Sequence, residues 1–244
     1  MGSVQQWAVL HGWDYLVLDD AFLELPPHWV RQRCGSNLYA KTDVARLIWA
    51  KEVLSHQYDR VIWVDADVVV FDPDGLARHV NAVHEYGFAH ELFLHIEGHR
   101  TKPIWGLNNA VMVFDRHTPM LQNYLQLCLE RLEHHQGELP RTAIGPTLLN
   151  QLNHASDLHQ IQGVGLFTPA MLHPFAAGQD ALMRLYLSHC PVLPAAANLC
   201  HFMRNATIAA QRPAFDRIYS IATERLLHQG LTLTSRRDPN IQHY

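Results

Sequence analysis

Apolar positions recur along this chain with two periods, one near 3.6 residues and one near 2, and their alternation sketches the elements. Val4, Trp7, Ala8 and Leu10 predict a short first helix stopped at Gly12, and Asp14-Tyr15-Leu16-Val17-Leu18 predicts a short buried strand. Residues 20–40 read as irregular, broken by Pro26-Pro27 and Gly35-Ser36. From Thr42 to Ser55, Val44, Ala45, Leu47, Ile48, Val53 and Leu54 keep helical spacing. The strongest strand follows at Val61-Ile62-Trp63-Val64, and Val68-Val69-Val70-Phe71 continues the apolar run up to a turn at Asp72-Pro73-Asp74-Gly75. Beyond it the pattern predicts helices over 76–83, 119–134, 145–152, 179–188 and 213–228, and strands at 86–89, 110–114 and 163–167. Strands alternating with helices give an α/β fold whose sheet is covered on both faces. With no repeat and no linker-like tract, 1–244 reads as a single domain.

Two carboxylates stand where the strongest strand ends. In an extended segment, residues two apart share a side, so Asp65 and Asp67 are expected to converge while Ala66 faces away. Ligands of open α/β sheets gather beyond the carboxyl ends of strands. Two hard oxygen donors plus phosphate oxygens form a usual ligand set for Mg²⁺ or Mn²⁺. A solvated carboxylate beside a turn is the competing reading of so short a motif. The apolar runs on both sides oppose it, because unpaired carboxylates in such a setting are costly to desolvate.

Composition narrows the class. The chain has 244 residues, 48% apolar and 17% charged, as in a soluble globular protein. A net charge of −4 argues against a dedicated nucleic-acid binder. Its 18 histidines are scattered, mostly without metal-ligand spacing, and its four cysteines form no Cys-x-x-Cys pair, which favours a reducing compartment. The first residues lack the pattern of a signal peptide, and no stretch approaches the ~20 apolar residues of a membrane span. The expected location is the cytoplasm, at most peripheral to a membrane.

The segment Tyr58-Asp59-Arg60-Val61-Ile62-Trp63-Val64-Asp65-Ala66-Asp67-Val68 resembles the Asp-x-Asp strand of GT-A fold glycosyltransferases. Gly106-Leu107-Asn108-Asn109-Ala110-Val111-Met112-Val113-Phe114 is similar to the donor-sugar strand of the retaining galactosyl- and glucosyltransferases. Ile144-Gly145-Pro146-Thr147 looks like the Gly-Pro element of the mannosyltransferase-like group that makes capsular and outer-chain glycans. Ala197-Asn198-Leu199-Cys200-His201 resembles the late segment whose His completes the metal site. The matches keep the family's order across Lys41 to His201.

The resemblance implies a GT-A type, Rossmann-like mixed sheet flanked by helices, and transfer of a hexose from a nucleotide-diphosphate sugar to a hydroxyl of a glycan or glycolipid. It implies a UDP-sugar ahead of a GDP-sugar, and Mn²⁺ or Mg²⁺ held by Asp65, Asp67 and His201. An imidazole ligand tilts the choice towards Mn²⁺; a hydrogen-bonded core histidine beside Phe202 is the alternative for His201. Arg46 becomes a candidate phosphate clamp, with Lys41 beside it, since a guanidinium fork binds phosphate bidentately. Local pairing of Arg46 with Asp43, and a solvated face for Lys41, are the bland readings. Glu91 would overlook the sugar, and Asn108, Asn109 and Gly145 would complete the donor site, with Asn109 beside the reacting bond. Asn can donate and accept, which suits a polyhydroxylated ligand; a turn before the strand is the alternative for the pair.

Two departures from the family qualify the picture. Its sheet opens with a strand that carries base contacts, whereas here a helix starts almost at Met1, so that strand is absent or replaced. No acidic residue downstream stands out as the base an inverting enzyme needs; Asp180 is the nearest candidate, and retention is favoured. A sugar nucleotidyltransferase would need a glycine-rich phosphate loop near the N-terminus, and none is present. A non-catalytic relative that binds nucleotide sugars is the other rival.

Overall fold

The first helices form where local signals are strongest. In the computed structural model, which describes residues 2–98, 100–205 and 212–233, the chain opens with α1 (Gly2–Leu10), a 3₁₀ turn at Asp20–Glu24 and α2 (His28–Cys34). Helix α3 (Leu38–His56) starts earlier than the apolar periodicity suggested. Its cap is Asn37, whose side chain accepts from the Ala40 amide at 3.1 Å. Asp72 caps α4 (Pro73–Asn81) by accepting from the Gly75 amide at 2.9 Å, and the proline in its first turn lacks the N–H that would otherwise be orphaned. What reads as turn chemistry at 72–75 is therefore a helix start.

Between α3 and α4 lie β1 (Arg60–Val64) and β2 (Val68–Val70), which belong to different sheets. Beyond α4, β3 (Tyr86–Glu97) and β4 (Arg100–Asp115) make a long antiparallel hairpin, followed by α5 (Pro119–His134) and α6 (Pro146–Ser156). Then come β5 (Gln160–Ile161), β6 (Val164–Leu166), α7 (Pro169–Ala176), α8 (Ala181–Ser188), β7 (Ala196–Asn198), α9 (His201–Asn205) and α10 (Arg212–Gln229). One sheet has the order β1-β4-β3-β5 and the other β2-β7-β6, each mixing antiparallel and parallel pairs.

Helices cover the sheets on both faces, as expected. Val44 and Leu47 of α3, Tyr124 and Cys128 of α5 and Leu148 of α6 pack with Phe88 and Phe114 of the first sheet. Trp7 of α1 and Leu76 of α4 pack with Val111 and Val113 on its other side. Met171, Tyr186 and Leu226, from α7, α8 and α10, close over Val69 and Ala197 of the second sheet. The fold is a mixed α/β architecture with helix-flanked sheets, and no strand precedes Arg60 among the described residues.

Two irregularities set up the site. In the hairpin, Phe88 opposes Met112 but Ala89 opposes Asn108, which leaves Asn109, Ala110 and Val111 as three extra residues on β4. Such a bulge breaks the ladder and re-aims the side chains beside it. The second irregularity is the step from β1 to β2 at Asp65-Ala66-Asp67. It is a turn, with the Val68 amide bonded to Asp65 O at 3.1 Å. The expectation that strand alternation aims the two carboxylates is therefore corrected: a change of sheet aims them.

Residues 14–18 form no strand. They run unpaired, with Leu16 48% and Val17 58% exposed, because an apolar run becomes a strand only where another strand can hydrogen-bond it. Residues 20–40, read as irregular, hold the 3₁₀ turn, α2 and the start of α3, and α7 was not foreseen.

Candidate active site

Asp65 and Asp67 lie where the two sheets meet, on the wall of a cavity of about 900 Å³. Asp65 Oδ1 accepts from Trp63 Nε1 at 2.6 Å and faces Arg46 Nη1 at 2.9 Å. Asp67 Oδ2 accepts from the His201 amide at 2.8 Å, and its carbonyl accepts from the Leu199 amide at 3.0 Å. Each carboxylate is thus held by one oxygen, while Asp65 Oδ2 and Asp67 Oδ1 accept no hydrogen bond from the described residues. Burial raises the Asp65 carboxyl to about 6, against the pull of Arg46, and the nearby charge of Asp67 adds to the rise.

Helix α3 braces this pair. Tyr39, Asp43 and Arg46 follow one another at helical spacing and all line the cavity. Arg46 is 5% exposed, and all three guanidinium nitrogens have partners. Nη1 also donates to Asn109 O at 2.8 Å, Nε donates to Thr42 O at 3.4 Å, Nη2 pairs with Asp43 Oδ1 at 3.2 Å, and the plane lies 5.2 Å from the Trp63 ring centre. Asp43 Oδ1 accepts in turn from Asn109 Nδ2 at 2.7 Å, and burial raises the Asp43 carboxyl. The bulge of β4 is what brings Asn109 to α3.

Behind the cavity floor sits Glu91. It is 3% exposed, accepts from Asn108 Nδ2 at 2.7 Å and from Asn198 Nδ2 at 3.3 Å, and burial pushes its carboxyl up to about 8. Asn108, Asn109 and Asn198 line the cavity, and Glu91 does not. Gly145 closes the floor: a Cβ there would stand 2.8 Å from Asp43 Oδ2 and 3.0 Å from Asn109 Nδ2, which is why the position lacks one. Apolar and aromatic side chains also line the cavity, among them Trp7, Trp13, Phe22, Trp49 and Trp63, together with the unpaired segment 13–18.

The residues expected at the site stand differently towards this cavity. Lys41 does not line the cavity; it lies on another side of α3, where its charge reaches the Cys34 thiol. Arg46 lies in the site, where it meets Asp43, Asp65 and two backbone carbonyls and so holds the carboxylates. Glu91 holds Asn108 and Asn198 from behind the floor and does not itself line the cavity. His201 lines the cavity and binds Asp67 through its backbone amide, while its ring stands edge-on to Tyr219 at 4.4 Å. Among the described residues no group of three His, Cys, Asp or Glu side chains is arranged to hold a metal ion, so the expected Asp65-Asp67-His201 set is not assembled. Asp180 is away from the cavity, buried against Arg225 at 2.7 Å. Sequence reasoning gave no role to Asn198 or Arg141 and treated Asp43 as structural; the spacing of Tyr39, Asp43 and Arg46 on one helix face was the available signal.

The donor chemistry that remains fits a hard divalent cation. Asp65 and Asp67 both line the cavity and each keeps one carboxylate oxygen without a hydrogen bond from the described residues; Mg²⁺ or Mn²⁺ would complete such a set with water and phosphate oxygens.

No protein-family model and no curated protein sequence matches the chain. Among solved structures it is similar to a galactosyltransferase, LgtC, crystallised with donor and acceptor sugar analogues. The TM-score is 0.41 and the identity 17%, over 85% of this chain and 73% of that one. No helix among the described residues is long and apolar enough to cross a membrane.

Proposed function

We propose that the protein is a metal-dependent glycosyltransferase that moves a hexose from a nucleotide-diphosphate sugar, a UDP-sugar first, to a hydroxyl of a glycan or glycolipid. One observation carries the reading: two carboxylates, each held through a single oxygen, line a large cavity together with three asparagines and several aromatic side chains. The aromatic wall suits the flat base, and the asparagines, each able to donate and accept, suit sugar hydroxyls. A divalent cation bound there neutralises the charge that develops on the departing diphosphate.

The chain's own residues orient that chemistry. Arg46 keeps Asp65 ionised and in place, the His201 amide fixes Asp67, and Glu91 sets Asn108 and Asn198. Asn109 is held by Asp43 and lines the cavity, which supports a role for it beside the reacting bond. With Asp180 paired elsewhere and Glu91 behind the floor, neither offers itself as base to an acceptor hydroxyl, which favours retention of configuration.

The test is a thermal-shift screen of UDP- and GDP-sugars with and without Mn²⁺, followed by a transfer and hydrolysis assay. A ligand bound by the native state alone raises its stability. Expected is a Mn²⁺-dependent shift with a UDP-sugar, lost in Asp67→Ala. Binding without turnover would identify a non-catalytic sugar-nucleotide binder, and no shift with any donor would remove the reading.

A further inference from the structure

Three arginines line the cavity. Arg46 is paired with Asp43 and Asp65, and Arg60 with Asp115 at 2.5 Å. Arg141 has no carboxylate partner among the described residues. It is exposed at the mouth of the cavity and stacks over the Tyr39 ring, 5.7 Å from its centre. A guanidinium lying on an aromatic face keeps its edge donors available and its orientation restricted.

Its support is rigid. Arg141 opens the turn before α6, where the Ala143 amide bonds Pro140 O at 3.1 Å and the buried Tyr124 hydroxyl donates to Ile144 O at 2.9 Å. Asn150 ties the same helix to β4, with bonds of 2.9 Å to both backbone groups of Leu107.

Position along α3 says what Arg141 meets. Asp43 is one turn and Tyr39 two turns before Arg46, so at 1.5 Å per residue Tyr39 stands roughly 10 Å along the helix from the Arg46–Asp65 contact. On the glycosyltransferase reading the diphosphate lies at Asp65 and Asp67 and the sugar over the asparagine floor. Arg141, stacked on Tyr39, then stands towards the saccharide end of the cavity.

Resting on the glycosyltransferase reading, we infer that Arg141 is a specificity-determining residue for an oxyanion, a carboxylate or phosphate, carried on the saccharide part of the substrates. That oxyanion can belong to the transferred sugar or to the acceptor, since both meet at this end of the cavity. Charge-assisted, two-pronged hydrogen bonds from a guanidinium give such a group both affinity and orientation.

The experiment compares wild type with Arg141→Gln and Arg141→Lys by calorimetry with Mn²⁺ present. The probes are UDP, UDP-glucose and UDP-glucuronate for the donor, and lactose against sialyllactose in the presence of UDP for the acceptor. Expected is at least a tenfold preference of wild type for the acidic member of one pair, lost in Arg141→Gln and partly kept in Arg141→Lys, with UDP affinity unchanged in both. The pair that shows the preference identifies the source. Equal binding of acidic and neutral members by wild type overturns the inference. So does a loss of UDP affinity in Arg141→Gln, which would make Arg141 a diphosphate contact. Failure of wild type to bind UDP at all would instead overturn the donor reading, and this inference with it.

Discussion

Arg46 Nη1 lies 2.9 Å from Asp65 Oδ1 while Nη2 of the same guanidinium lies 3.2 Å from Asp43 Oδ1, so one buried cation holds two carboxylates in the wall of the cavity. Removing it leaves both acids without a counter-charge. Breaking a buried pair from one side costs about 3–5 kcal/mol. Arg46→Ala is expected to lose stability on that scale in urea unfolding, and Arg46→Lys to recover only part, because a single ammonium cannot bridge both acids and Asn109 O. A loss under about 1 kcal/mol for Arg46→Ala would mean that the network does not brace the site.

Asp67 touches the fold through one oxygen and its carbonyl. Asp67→Ala is expected to keep its far-ultraviolet circular dichroism and to lose transfer by about a hundredfold or more, the scale of removing one electrostatic support of a transition state. Activity within a few fold of wild type, or activity indifferent to a chelator, would remove the carboxylate–cation mechanism.

Burial lifts the Glu91 carboxyl from its ordinary 4.5 to about 8. Between those values the folded protein keeps a proton that the unfolded chain has released, so stability falls as pH rises through that window. The slope approaches about 1.4 kcal/mol per pH unit for one such group. Asp65 contributes with the same sign, but only up to about 6. Glu91→Gln is expected to flatten the decline between pH 6 and 8 while keeping partners for Asn108 and Asn198. Urea unfolding of both proteins at several pH values measures it; parallel curves would show that Glu91 titrates in the ordinary range.

Gly145 leaves no room for a methyl group between itself, Asp43 and Asn109. Gly145→Ala is expected to destabilise by about 1–3 kcal/mol, as overpacking does, and to lower kcat/KM by displacing Asn109. A variant as stable and active as wild type would show that the floor tolerates movement.

How far the chain could be read in advance depended on the range of the interactions involved. Helix α5 was readable to both ends, Pro119 to His134, because apolar spacing, Thr118 and the proline all act within a few residues. Asp65 and Asp67 could be singled out because their carboxylates interrupt an apolar run. The neighbours of Arg46, Glu91 and Lys41 could not be read, since each turns on which face of an element meets which partner. Glu91 of β3 meets Asn108 only through the β4 hairpin, and Asn198 only through the second sheet.

Residues 14–18 carry the same lesson in reverse: a strand-like run stayed unpaired and became cavity wall. The sequence by itself determined most of the helices, though not α2 or α7, that apolar strands alternate with them, and where hard oxygen donors accumulate, since all of these follow from local spacing and side-chain chemistry. Only the tertiary structure decided that the chain changes sheets at Asp65-Ala66-Asp67, that a bulge carries Asn109 to α3, and that Arg46 holds acids while Arg141 meets no carboxylate among the described residues. The physical reason is that strand pairing and the desolvation of charge depend on residues distant in sequence, whose meeting no local pattern encodes.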